Sequence, residues 1–201
     1  MALYFSLFNK NYFQFIYVII YLEIFINILF YMTEKQILIT VGTTKFENLI
    51  KAIDKEEFYE MLIKTGFTKL IIQKGYGEYI PKNYKTFENK MKIKISEIIN
   101  NFENVIKASD LIISHGGAGI ILESLKNKRK VIVCVNDELM DNHQVELATS
   151  LEENGYLYYC KNLSNITEEA EKLISNAIQL KEYPEFNYDI IPNAIYSTLN
   201  I

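Results

Sequence analysis

Cysteine is scarce in this chain: only Cys134 and Cys160 occur, far apart and with no C-x-x-C spacing. That excludes a disulfide framework and the usual zinc-ligand patterns, and it fits a reducing compartment. Both cysteines sit in apolar runs and are expected to be core residues. An excess of positive charge is lacking too. The formal net charge is −4, and there is no C2H2, RNP-like or basic-helix pattern, so no nucleic acid is expected as a partner. A secretory signal peptide is a poor fit to the sequence as well. The one long apolar run, residues 11–31, exceeds a signal-peptide core, and no small-residue cleavage site follows it.

That run, NYFQFIYVIIYLEIFINILFY, is long enough for a membrane-spanning helix, which needs about 20 residues. Aromatic residues lie at both ends, in the manner of interfacial belts. Glu23 near its middle opposes a span, because burying an acidic group in a bilayer is costly. Met32–Gln36 (MTEKQ) reads as the ordinary start of a soluble domain. Residues 1–31 are therefore either a membrane tether or an artefact of the gene model. Residues 32–180 form one domain on this reading. Residues 181–201 carry Pro184 and Pro192 and read as a loosely structured tail.

The chain has 201 residues, 49% of them hydrophobic, which suffices for one domain with a real core. Gln36–Val41 (QILITV) is a β-branched run that stops at Gly42, as a buried strand would. Thr68–Gln73, Met91–Ile95, Asp110–Ser114, Lys130–Val135 and Tyr156–Cys160 read as five further strands. Helical spacing fills the gaps at Phe46–Ile53, Glu56–Thr65, Ser96–Ala108, Ile120–Lys126, Asn142–Asn154 and Ser164–Leu180. Pro81–Lys90 is polar and reads as a loop. This alternation predicts an α/β fold, a Rossmann-like parallel sheet wound on both faces. Such sheets bind ligands beyond the carboxyl ends of their strands. Gly42-Thr43-Thr44 and Ser114-His115-Gly116-Gly117-Ala118-Gly119 both fall there.

Three glycines at one strand–helix junction suit an anion. Lacking Cβ atoms, they let a phosphate approach the backbone N–H groups. The following helix adds unpaired N-terminal donors and the positive end of its dipole. Two ligand classes remain open on these grounds. Gly117-x-Gly119-x-x-Leu122, with Asp137 about twenty residues on, approaches the dinucleotide fingerprint of NAD-type oxidoreductases, but Leu122 replaces its third glycine. A nucleotide sugar is the other class. Glu123, one turn into the helix, can accept hydrogen bonds from both ribose hydroxyls, or it is simply an acid favoured by the helix dipole. Asn142-His143-Gln144 supplies donors and acceptors for sugar hydroxyls, while Asp141 or Asn142 also suits an N-cap.

Ile37–Phe46 (ILITVGTTKF), Leu111–Glu123 (LIISHGGAGIILE), Val133–Ala148 (VCVNDELMDNHQVELA) and Gly155–Cys160 (GYLYYC), in that order, strongly resemble one family. It is the catalytic subunit of the dolichol-pathway UDP-N-acetylglucosamine transferase, within glycosyltransferase family 28. The resemblance covers roughly residues 36–180. It implies the donor-binding half of a GT-B glycosyltransferase. The implied reaction adds the second N-acetylglucosamine of the lipid-linked oligosaccharide to dolichol-diphospho-N-acetylglucosamine, at the cytosolic face of the endoplasmic reticulum membrane. Carried over by position, Gly42, Thr43 and Thr44 line the cleft near the phosphates. Ser114, His115, Gly116, Gly117, Ala118 and Gly119 lie under the diphosphate. Glu123 holds the ribose, and Asn142, His143 and Gln144 hold the sugar. One departure is Ile120, where the family usually has Ser, so one hydroxyl contact to phosphate is expected to be missing. The apolar N-terminal segment is also atypical of the family's soluble subunit.

Without an Asp-x-Asp motif, the helix dipole and backbone donors must stabilise the departing diphosphate, and neither a metal nor another cofactor is expected. His115 is the candidate acid or base at the anomeric centre, or a group that only positions the diphosphate. The chain holds one lobe of a two-lobed cleft. The resemblance implies a separate membrane-anchored partner subunit for the acceptor side. A fold that has lost catalysis and only binds nucleotide is a third reading.

Overall fold

The computed structural model describes residue 16 and residues 18–23, 34–136 and 142–184, with Asn142 by its backbone alone. Residues 1–34 and 35–201 fall into two units. In the first, residues 18–23 are helical and most of the apolar run lies outside the described residues. Among the described residues no helix is long and apolar enough to cross a membrane.

The second unit is a six-stranded sheet. Its strands are β1 (Gln36–Thr40), β2 (Lys69–Gln73), β3 (Lys92–Ser96), β4 (Leu111–His115), β5 (Lys130–Cys134) and β6 (Tyr158–Tyr159). Every neighbouring pair is parallel, in the order β3-β2-β1-β4-β5-β6. The helices are α1 (Glu47–Ile53), α2 (Glu56–Lys64), α3 (Phe102–Ala108), α4 (Ala118–Lys126), α5 (Asn142–Glu153) and α6 (Ile166–Ile174).

Alternation along each strand sends side chains to two cores. Ile37, Ile39, Leu70, Ile72, Leu111, Ile113 and Ile132 face α1, α2 and α6. Leu38, Ile71 and Ile112 face α3, while Val131 and Val133 face α4 and α5. Strands covered on both sides lose the polar half of their pattern, which is why QILIT and KVIVC read as near-continuous apolar runs. Both cysteines are buried in this core, as expected. Cys160 beside it, together with burial, pushes the Cys134 thiol well above its usual range and keeps it protonated.

Three expectations need correction. The last helix ends at Ile174, not Leu180. Asn176 takes a left-handed φ of 58°, and the Lys130 ammonium caps the helix end by donating to the Leu173 carbonyl and Asn176 Oδ1. The tail is not loose as far as it is described. Lys181 N–H donates to the Gly155 carbonyl, and Tyr183 packs edge-on against Tyr156. Pro81–Lys90 contains a 3-10 turn at Asn83–Phe87, which buries Phe87 in a stack on Tyr59.

The Lys74–Asn83 connection is held by two acids. Glu47 accepts from the N–H groups of Glu78 and Tyr79. Asp54 is nearly buried and accepts from the Tyr59 and Tyr79 hydroxyls and the Lys82 and Asn83 N–H groups. Four neutral donors thus satisfy a carboxylate with no cation among them.

Strand order reverses at the β1–β4 seam. The chain leaves those two strands in opposite directions and opens a crevice at their carboxyl ends.

Candidate functional site

Two loops meet at the seam. After β1, Gly42 adopts a left-handed φ of 62°, which an L side chain rarely takes. Its N–H donates to Thr40 Oγ1 at 3.0 Å, and its carbonyl accepts from Gln73 Nε2 at 3.0 Å. After β4, His115 runs into Gly116 and Gly117, and α4 begins at Ala118.

The His115 imidazole lies between the loops. A Cβ on Gly42 would sit 2.8 Å from His115 Cε1, and one on Gly117 would sit 2.6 Å from Nε2. His115 is 9% exposed, and its Nδ1 is buried with no hydrogen-bond partner. Desolvation lowers its pKa; the nearby Thr40 backbone opposes that shift without meeting hydrogen-bond geometry. The ring is therefore neutral at pH 7. A neutral ring does not act as a charged acid, and its Cε1–Nε2 edge is in close contact with a glycine of each loop.

A cavity of about 340 Å³ opens beside the ring. Gly42, Thr43, Thr44, His115, Gly117 and Gly119 line it, and so do Gln73, Ile99, Phe102 and Ile120. Its volume is in the range of small-ligand sites. Gly119 is the informative member. A Cβ there would meet no atom within 4 Å. It lies in the first turn of α4, where Gly is less stable than Ala by about 0.5–1 kcal/mol. Packing of the protein does not require this glycine, whereas close approach of a ligand to the helix N-terminus does.

The other expected residues are placed less directly. Ser114 is fully buried, does not line the cavity, and leaves its Oγ without a partner. Ala118 begins α4 but does not line the cavity. Gln144, in the first turn of α5, covers Gly116: a Cβ there would lie 2.8 Å from Gln144 Oε1. His143 is exposed, 3.8 Å from Glu146. Asn142's side chain and residues 137–141 lie outside the described residues. Glu123 sits in the middle of α4, not its first turn, so the helix-dipole reading does not apply. Its Oε1 accepts from Asn127 Nδ2 at 3.0 Å, and it does not line the cavity.

Sequence reasoning missed Thr40, Gln73, Ile99 and Phe102 at this site. A polar residue closing an apolar strand, twice over at Thr40 and Gln73, was the available signal. A larger cavity of about 440 Å³ lies at the opposite edge, between the start of β5 and residues 176–183. Three of its four cations are engaged: Lys128 with Glu182, Arg129 with main-chain carbonyls, and Lys130 with the end of α6. It lacks the free helix N-terminus that the seam provides.

Residues 36–188 match the glycosyltransferase family 28 C-terminal domain. The UDP-N-acetylglucosamine transferase subunit ALG13 of Saccharomyces cerevisiae is 34% identical over 157 residues, covering 63% of this chain and 78% of that protein. The mouse protein of the same name is 36% identical over 126 residues, 63% of this chain but only 11% of its own length. The chain thus spans a small part of the mammalian relatives it matches. An NMR solution structure of ALG13 superposes with a TM-score of 0.58 and 27% identity, covering 84% of this chain and 96% of that one. MurG of Acinetobacter baumannii, at 19% identity and a TM-score of 0.54, shares the fold over 72% of this chain and 41% of its own.

Proposed function

The chain belongs to the glycosyltransferase family 28 C-terminal domain family, and from that premise we propose that it is the donor-binding subunit of a UDP-N-acetylglucosamine transferase. The observation that carries this reading is Gly119, a glycine with open space over its Cα in the first turn of α4, beside the seam cavity. The diphosphate of UDP-N-acetylglucosamine sits against the Gly116–Gly119 backbone and the positive end of α4. Gly42, Thr43 and Thr44 face it from the other loop. Glu123 turns from Asn127 to the ribose, and Asn142, His143 and Gln144 take the sugar. Leu122, where a dinucleotide site would have its third glycine, speaks against NAD.

The acceptor is dolichol-diphospho-N-acetylglucosamine. Its sugar hydroxyl attacks the anomeric carbon, the bond to the diphosphate oxygen breaks, and UDP leaves carrying the negative charge. The α4 dipole and the loop N–H groups stabilise that charge without a protein-bound metal. Neutral, wedged His115 positions the loops. A base beside the acceptor hydroxyl takes its proton, and the acceptor wall comes from a membrane-anchored partner subunit at the cytosolic face of the endoplasmic reticulum, completing a GT-B cleft.

Calorimetry on the full chain with UDP-N-acetylglucosamine and with NAD tests the donor. Binding of the first alone is expected, and binding of NAD alone overturns the reading. Complementation of cells lacking the transferase subunit tests the reaction. Elongation of a short-chain acceptor at a normal rate by the isolated chain would refute the need for a partner.

A further inference from the structure

Thr40 and Gln73 are buried polar residues at the ends of neighbouring strands, paired in register. Thr40 Oγ1 accepts from the Gly42 N–H at 3.0 Å and lies 3.4 Å from Gln73 Oε1, to which its hydroxyl donates. Gln73 Nε2 donates to the Gly42 carbonyl at 3.0 Å. Both polar groups of the left-handed Gly42 residue are therefore tied to side chains at the end of the sheet. Gly42 in turn abuts the Cε1–Nε2 edge of the His115 imidazole, and Gly117 abuts the same two ring atoms. The contacts run from the sheet to Gly42, then to His115, then to the glycine loop at the start of α4.

We infer that Thr40 and Gln73 are positioning residues that set the spacing of the two diphosphate loops through Gly42 and His115. This rests on the donor-site reading above. The chemistry suits the task. The Gly42 N–H and carbonyl belong to the two peptide units that flank its Cα, so holding both fixes the backbone turn at that residue, which a single hydrogen bond does not. The clamp also occupies the Gly42 N–H. The first loop therefore presents its threonines to the ligand, while Gly42 serves as the contact surface for the ring. Removing either clamp residue leaves a buried polar group unpaired and lets the Gly42 peptide turn.

The test uses the full chain and four variants: Thr40→Val, Thr40→Ser, Gln73→Leu and, as a destabilised control in the core face of α6, Leu173→Ala. Two readouts are taken, UDP affinity by calorimetry and the His115 Cε1–H resonance by NMR. Only one other histidine, His143, is present, so assignment is direct. Thr40→Val and Gln73→Leu are expected to weaken UDP about tenfold and to move the His115 resonance. Thr40→Ser, which keeps the hydroxyl, should preserve both, and Leu173→Ala should lower only the melting temperature. Unchanged UDP affinity and an unmoved resonance in the two clamp variants would reduce the clamp to ordinary packing. The two variants break the clamp from opposite ends, so either one that folds decides the matter. If the parent chain itself fails to bind UDP, the donor reading falls, while the His115 resonance still tells whether the clamp governs the ring.

Discussion

His115 and Gly117 are in such close contact that a single added methyl at Gly117 would lie 2.6 Å from the imidazole Nε2. The backbone at Gly117, with φ −68° and ψ 115°, suits any residue, so space alone demands the glycine. Gly117→Ala should push the ring or the loop aside. A stability loss of about 1–3 kcal/mol is expected from overpacking, together with a clear loss of UDP affinity by calorimetry.

Gly119 should behave in the opposite way. No atom opposes a methyl there, and its place in α4 favours Ala. Gly119→Ala should leave stability unchanged or raise it by about 0.5–1 kcal/mol, while UDP binding weakens. A variant that is both more stable and equally good at binding UDP would remove the main structural support for the donor site.

Asp54 is predicted to dominate the stability of the connection after β2. Asp54→Ala strands the buried hydroxyl of Tyr59 and frees the N–H groups of Lys82 and Asn83. A loss of about 3 kcal/mol is expected in urea unfolding. Hydrogen exchange should rise at residues 79–83 before it rises in β1 or β4.

Acid should weaken the fold in two separate windows. Burial holds His115 below its ordinary value of 6.5, so the unfolded chain binds a proton that the folded chain refuses. Stability is therefore full above about pH 6.5 and falls as the pH drops from there toward the lower folded value. Glu47 is held below its ordinary 4.5, first by the Glu78 N–H and then by Lys51, so its contribution is lost only as the pH falls below 4.5. The urea midpoint of the parent should fall between pH 7.5 and 5.5, and His115→Gln should flatten that part of the curve.

Alkali should act through the tyrosines whose pKa the fold raises, Tyr59, Tyr79 and Tyr158, of which Tyr79 is the test case. Its burial, with the hydrogen bond to Asp54, pushes its pKa up to about 12. An unfolded tyrosine ionises near its ordinary 10.0, so stability is lost as the pH rises above that value. Tyr79→Phe should reduce the alkaline slope and lower the stability at pH 7, both measurable in the same titration.

The sheet was legible because parallel central strands carry unbroken apolar runs, and QILIT, DLIIS and KVIVC display them without ambiguity. The glycine loop was legible because strand, glycines and helix are contiguous. The clamp was not, since Thr40 and Gln73 lie 33 residues apart and each alone is an ordinary polar strand end. Asp54 was hidden for the same reason. Its partners range from Tyr59 to Asn83, and only the fold assembles them. Gln144 was read as a sugar ligand from its polarity and from the family resemblance, and its packing over Gly116, beside the glycine loop, was not legible in the sequence. The expected final helix overran because Ala177 and Ile178 continue its apolar spacing while Asn176 turns the backbone left-handed.

The position of the seam has a consequence for the order of events during folding. β1 pairs with β4 across residues 37–40 and 111–114, so the two loops belong to chain segments more than seventy residues apart. Each segment can form its own local βα units, but neither alone encloses the seam cavity. The cavity comes into being only when the long-range pairing closes, a slow step in chains of this topology. On the proposed donor-site reading, UDP binding is expected to report completed assembly. A chain cut within residues 97–101 should regain affinity only when both fragments are present together.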